Sequence, residues 1–166
     1  MLCVDMQEYI TSGDISRLRT HLKLSLFLKL EYGLKKDREA GVTHHVDNVT
    51  VQNVDLRGFA QQDETDHIIA SVEAKLTDFT VKDETGEIID GSNDEQKLVR
   101  YEWDLSRRTN NHTFTKNDNG QTRCPYCGEP ILLTAKTRCE YCGREIKRAD
   151  HEFVLCSIKV LSQTAL

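Results

Sequence analysis

The sequence predicts an α+β fold in which N-terminal helices pack on a curved four-stranded antiparallel sheet, with a small metal-binding ribbon inserted before the last strand. Three observations carry this. Leucines recur at helical spacing within residues 14–41. Four runs of alternating apolar and polar residues follow, with no helical stretch between them. Strands that succeed one another without helical crossovers pair antiparallel. Two matched Cys-x-x-Cys pairs stand between the third run and the fourth.

The helical stretch opens at Ser12-Gly13-Asp14, where Asp14 is the best cap. Leu18, Leu22, Leu26, Leu30 and Leu34 recur every fourth residue beside Phe27, which gives one apolar face. Lys35, Lys36 and Arg38 crowd the last turn, where positive charge suits the helix dipole, and Gly41 is a natural stop. A break near Lys23 would divide the stretch into two helices. Residues 3–11 offer a further helical turn or two.

Period two then takes over. Val49, Val51, Val54 and Leu56 read as a strand with a bulge near Gln52-Asn53. Ile68, Ala70, Val72, Ala74 and Leu76 make the second strand, and Val99, Tyr101, Trp103 and Leu105 the third. In the fourth, Val154, Cys156, Ile158 and Val160 form one face, with Phe153 and Leu155 on the other. Turn signals lie at Gln61 to Asp66, at Asp83-Glu84-Thr85-Gly86 and at Asp90-Gly91-Ser92-Asn93. A polar stretch, Thr109 to Gly120, leads into the cysteine module. The expected organisation is a body of residues 1–120 plus 149–166 and a ribbon of residues 121–148.

The ribbon has the strongest chemical signal. Thr122-Arg123-Cys124-Pro125-Tyr126-Cys127-Gly128 repeats as Thr137-Arg138-Cys139-Glu140-Tyr141-Cys142-Gly143 at an offset of 15 residues, and Ile131 and Ile146 extend the match. Two residues between cysteines let the chain close a tight knuckle whose sulfurs face one ion. Glycine just after it permits the positive φ of the turn. Two knuckles supply Cys124, Cys127, Cys139 and Cys142, the four thiolates of a closed tetrahedral structural zinc site, one zinc per chain. Iron in a rubredoxin-like site is the other metal such a set would take. A redox dithiol uses one such pair rather than two, and disulfides need an oxidising compartment. Of the remaining cysteines, Cys156 reads as a small buried hydrophobe and Cys3 is uninformative.

Composition excludes more than it names. The 166 residues suffice for one domain with a small appendage. Hydrophobic residues at 38% and charged residues at 30% are ordinary for a globular chain. No apolar run approaches the ~20 residues of a membrane span, and no secretion signal is readable. The net charge of −5 argues against nucleic-acid binding through the whole surface. That charge is uneven: residues 121–150 carry +2 and the remainder −7. Arg123, Lys136, Arg138, Arg144, Lys147 and Arg148 make the ribbon mildly basic, and Tyr126 and Tyr141 stand where they could stack on bases. Such a small footprint neutralises few phosphates. Knuckle-tip tyrosines that simply cover the metal are the plainer reading.

The order of elements resembles the Tim44-like domain, a member of the nuclear transport factor two-like (cystatin-like) cone fold. The resemblance lies in Gly13-Asp14, in Asp78-Phe79 followed by Thr85-Gly86 and Gly91, in Tyr101-Glu102-Trp103-Asp104-Leu105-Ser106-Arg107 and in Asp150-His151-Glu152-Phe153-Val154-Leu155. Some bacterial members are similar even in two Cys-x-x-Cys knuckles before the closing strand. The resemblance implies a non-catalytic, membrane-associated role in scaffolding or transport, and an apolar pocket between helices and sheet. The family's chaperone-recruiting N-terminal region is missing from the match. The abrupt start at Met1-Leu2-Cys3 fits a fragment of a longer protein whose membrane anchor lies upstream, with this domain on the cytoplasmic side.

These readings give a binding domain rather than an enzyme. The expected pocket lies between the Leu22/Leu26/Leu30 helix face and the sheet, lined by Leu76, Tyr101 and Trp103. A long bulged sheet curls, and one helix layer covers it incompletely. Such a cleft suits a lipid chain or an apolar peptide segment. A protein partner through the ribbon, or nucleic acid there, is the alternative. Cone-fold enzymes place carboxylates and tyrosines in the pocket, and Asp78, Asp104, Tyr101, His44 and His45 are the residues here that could serve. No spacing among them shows the pair of opposed pKa values that acid–base chemistry needs.

Overall fold

The structure is a computed structural model that describes residues 6, 8, 9, 11–111, 113–132 and 137–166, with the side chains at 148 and 149 excepted. Cys3, Lys136 and most of residues 3–11 lie outside it, as does the side chain of Arg148. Its main body is an α+β arrangement of one α-helix on a four-stranded antiparallel sheet.

The helical stretch does break near Lys23. Asp14 accepts a hydrogen bond from the Ser16 N–H at 3.0 Å, but the cap residue of the 3-10 turn Ser16–Thr20 is Ile15, one position further on and without a side-chain cap bond. Helix α1, Leu24–Ala40, follows separately. Between them the backbone serves the sheet instead: Leu155 N–H donates to His21 O at 2.9 Å and Lys23 N–H to Leu155 O at 2.8 Å. Those backbone groups would otherwise bond within a helix, which is why the leucine repeat continues across an interruption in the helix. Gly41 ends α1 with φ 66°, a left-handed cap that glycine adopts without cost to a Cβ. Arg38 donates to Gly13 O at 2.8 Å and ties the end of α1 to the start of the segment.

Strands β1 (Val42–Gln62), β2 (Thr65–Lys82), β3 (Ile88–Arg108) and β6 (Val154–Ala165) form the sheet in the order β1-β2-β3-β6. Between β3 and β6 in the chain lie the short pair β4 (Thr137–Arg138) and β5 (Glu145–Ile146), then a helical turn, α2 (Arg148–His151). The strands outrun their apolar alternation because hairpin pairing extends the ladders through polar residues on both sides of it. Asp63 and Glu64, at φ 48° and 60°, make the two-residue turn between β1 and β2.

The expected bulge falls where the first strand predicts it, between Val51 and Asn53, and others follow at Asp47/Thr50 and Leu56/Gly58. Asp90-Gly91-Ser92-Asn93, read as a turn, lies inside β3. Its turn-like residues serve an irregularity there, with Gly91 at φ 74° paired to Phe79. The fourth strand also differs from the simple alternation. Trp103 pairs with Ile158 but Leu105 with Leu155, so the irregularity around Cys156 turns Leu155 onto the core face. Leu155 is fully buried, and Cys156 is left beside Ser106, Sγ to Oγ 2.6 Å.

The core joins Ile15, Leu18, Leu22, Leu26 and Phe27 to Val72, Trp103 and Leu155, with Leu30, Val49, Val51, Tyr101 and Ile158 packed against it. Past the second bulge β1 leaves this cover, and Val54, Leu56 and Phe59 are exposed.

One buried carboxylate fastens the far end of the sheet. Asp66 accepts hydrogen bonds from Gln61 at 2.9 Å and Thr109 at 2.8 Å, and Arg107 lies 3.6 Å away. These bonds, led by Gln61 and then Thr109, hold its pKa below the ordinary 3.8, and Arg107 adds to the effect. A lowered folded-state pKa contributes stability above the unfolded value, and that contribution disappears as pH falls through the folded value. Asp66→Asn is expected to lower stability at neutral pH and to flatten the loss of stability below about pH 4. Urea unfolding across that range measures both.

Candidate metal centre

The two knuckles fold as copies of one another, as their repeated sequence requires. Cys124 N–H donates to Glu129 O at 2.7 Å and Gly128 N–H to Cys124 O at 2.9 Å. In the second, Cys139 N–H donates to Arg144 O at 3.0 Å and Gly143 N–H to Cys139 O at 2.8 Å. Gly128 and Gly143 have φ of 80° and 71°. Each glycine closes its turn in the region where a Cβ is disfavoured.

The sulfurs of Cys124, Cys127, Cys139 and Cys142 all lie within 4.8 Å of one another. Cys124 and Cys142 are 3.8 Å apart, and Cys127 and Cys139 3.6 Å. Tetrahedral ligands at about 2.3 Å from one ion stand about 3.8 Å apart. The four sulfurs are therefore close enough together to hold one metal ion. Cys124 and Cys139 are buried, whereas Cys127 and Cys142 are exposed.

Proton affinities across the cluster are divided. The Cys142 N–H draws the Cys139 thiol down to about 7 against burial, with help from the Tyr141 N–H. Cys127 is pulled down by the Glu129 N–H, but desolvation and the other three sulfurs push it up to about 12. Thiols this crowded cannot all ionise unaided, because like charges would meet at van der Waals distance. A cation among them removes that conflict, since the thiolate is the ligand form.

Around the cysteines, Ile146 is buried, and Ile131 and Phe114 pack on the cluster. Thr115 O accepts from Arg123 N–H at 2.9 Å, so the ribbon's packing begins before residue 121. His151, buried in α2, sits 5.0 Å from the Phe114 ring and meets Tyr126 edge-on at 5.9 Å. It joins the ribbon to the last strand of the body. Sequence reading missed this role for Phe114 and His151, because the contact spans 37 residues of irregular chain. Arg144 lies over Tyr126 at 4.8 Å, and Arg123 donates to Gly128 O at 2.9 Å. Both arginines and Tyr126 thus have partners within the ribbon, while Tyr141 is exposed.

The residues considered for catalysis are dispersed. Asp78 meets His44 at 2.6 Å and Lys97 at 3.6 Å. Asp104 meets His67 at 2.8 Å, and His45 stacks on Phe79. Asp78 pairs with Ser92, whereas Asp104 pairs with Ile69. Nine positions of β2 separate Ile69 from Asp78, about 30 Å of strand. The two carboxylates therefore share no site.

Of the expected pocket residues, Trp103 is 8% exposed and packs in the core cluster, with Tyr101 half-buried against it. Leu76 is buried further along β2. A groove of about 580 Å³ runs between the Gly13–Ser16 segment and α1, lined by Ile15, Phe27, Leu28, Tyr32 and Arg38 among others.

Residues 1–117 match the family model of the Tim44-like domain. That family is associated with membrane-linked, transport-related proteins and is generally non-catalytic. No curated protein matches the chain. Among the described residues, no helix is long and apolar enough to cross a membrane.

Proposed function

Because this chain belongs to the Tim44-like domain family, we propose that it is a non-catalytic binding and scaffold domain of a membrane-associated, transport-related protein. Its body, on this reading, is a nuclear transport factor two-like cone that takes an apolar ligand, a lipid chain or a peptide segment, between α1 and the sheet. The ribbon holds one structural zinc and serves as a staple and a contact surface for a protein partner.

The observation that carries the ligand reading is Trp103. Its indole Nε1 is buried, with no hydrogen-bond partner among the described residues. A buried donor left unpaired costs about 1–3 kcal/mol. A ligand that is apolar along its length and carries one carbonyl or carboxyl oxygen would satisfy that donor while filling an apolar site. Access requires α1 to yield, and α1 commits only Leu26 and Phe27 to full burial. Zinc is favoured by four thiolates in a closed tetrahedron with no open position.

Titration with a long-chain fatty acid and with an apolar peptide tests the reading. Trp103 is the only tryptophan, so its fluorescence reports the site. Binding that shifts this fluorescence and survives raised salt is expected. Trp103→Phe keeps an aromatic ring, though a smaller one, and removes the donor, and should weaken binding about five- to tenfold by calorimetry. Absence of binding, or equal binding by the variant, overturns the pocket. Salt-sensitive oligonucleotide binding that is lost on changing Arg138 and Arg144 would move the function to the ribbon.

A further inference from the structure

β1 is an outer strand of the sheet, and its free edge is covered over only part of its length. At Val46 the backbone N–H donates to Thr11 Oγ1 at 3.3 Å, so the N-terminal segment occupies the edge there. From Val51 to Gln62 no described residue outside the sheet bonds to the β1 backbone, the Thr50 carbonyl accepts from Gln52 Nε2 at 3.3 Å, and every residue from Gln52 onward is exposed. Such an edge offers a row of backbone donors and acceptors to another strand. Proteins that keep an edge solitary place lysine, proline, inward charge or β-bulges on it, and β1 has bulges at Val51/Asn53 and Leu56/Gly58. β6, the opposite outer strand, carries Lys159. β1 has neither lysine nor proline. It shows water Val54, Leu56 and Phe59, 58%, 79% and 66% exposed, more than Val160 and Leu161 of β6 at 55% and 45%.

The charges on this stretch specify the occupant. Leu56 is the midpoint of Thr50–Gln62, with Asp55 on one side and Arg57 on the other. A second β1 laid antiparallel about a two-fold axis at Leu56 sets Asp55 of each strand opposite Arg57 of the other. Two cross-strand ion pairs then flank a Leu56–Leu56 contact. Arg57 makes no ion pair or hydrogen bond among the described residues, so it is available for this. An isologous contact of this kind needs a self-complementary patch, and a sequence palindromic in charge supplies one. The bulges at Val51/Asn53 and Leu56/Gly58 interrupt the stretch, so the ladder centres on Leu56 and is shorter than the about 44 Å of an unbroken strand.

We propose that two copies of this chain associate through the Thr50–Gln62 edge of β1, joining their sheets into one continuous eight-stranded sheet. The pairing is closed, because β6 with its Lys159 stays outside it, and it is independent of any ligand of the body.

Sedimentation velocity of the full chain over a wide concentration range tests this. A reversible dimer is expected. Leu56→Lys, at a position too exposed to affect folding, should give a monomer. Asp55→Arg alone and Arg57→Asp alone each set like charges opposite one another and should weaken the dimer about tenfold or more. The double variant D55R/R57D restores opposite charges and should restore the dimer, which a mere folding defect could not do. A monomer at every concentration overturns the proposal. So does a dimer indifferent to Leu56→Lys, or one abolished by Lys159→Glu, which would place the contact on β6.

Discussion

Cys139→Ser is expected to abolish metal retention and unfold residues 121–148 while the four-stranded sheet stays folded. Cys139 is the most buried of the four cysteines, and its sulfur receives the N–H groups of both Cys142 and Tyr141. Among the described residues little else holds the ribbon together. Its core is Cys124, Cys139 and Ile146, with Phe114 and Ile131 against them, and β4 and β5 are two residues each. Structural zinc supplies about 10–16 kcal/mol to small modules of this type, far beyond what so few apolar contacts provide. The body has its own core, in which no cysteine of the ribbon takes part. Metal analysis should fall from about one zinc per chain to none, as one tetrahedral ion per four thiolates demands. Hydrogen exchange should rise across the ribbon and stay slow from Ile68 to Leu76. Lost protection in those strands would mean that the body depends on the metal.

Gly91→Ala should be the most damaging small substitution in the body. Gly91 has φ 74° and pairs with Phe79 across the irregular part of β3. A Cβ there would lie 2.1 Å from the Asp78 carbonyl oxygen and 2.8 Å from the Phe79 Cα, both backbone atoms. The left-handed conformation alone costs a non-glycine residue about 1–2 kcal/mol. The clash adds to that, because backbone can yield only if β2 and β3 separate. A total loss of about 3 kcal/mol or more is expected. Gly86→Ala is the control: φ is 69°, but a Cβ would meet nothing within 4 Å. It should show the conformational cost and no more. Equal losses in the two variants by urea denaturation would mean that the contact with Asp78 is relaxed at no cost.

Much of this molecule is legible in its sequence because it depends on local periodicity. Leu18, Leu22 and Leu26 identify the buried helix side, and Ala70, Val72, Ala74 and Leu76 the buried side of β2. The metal cluster is legible for the same reason: two residues between cysteines dictate a knuckle, and repetition dictates a pair. Strand length was hidden, since the polar residues that extend β1 and β3 pair through backbone groups common to every residue. The inward turn of Leu155 in β6 was hidden too, because the irregularity at Cys156 arises from pairing with Asp104 and Leu105.

The sequence by itself determined the four-strand order, the helical cover and the pairing of the four clustered cysteines, each a matter of spacing along the chain. Only the tertiary structure decided that the chain between Ser16–Thr20 and α1 bonds to Leu155, that His151 joins ribbon to body, and that Trp103 Nε1 is buried without a partner among the described residues. It alone placed Leu56 at the centre of a bare edge. Those features arise from groups distant in sequence competing for the same backbone bonds and the same shelter from water, and no local pattern records which of them prevails.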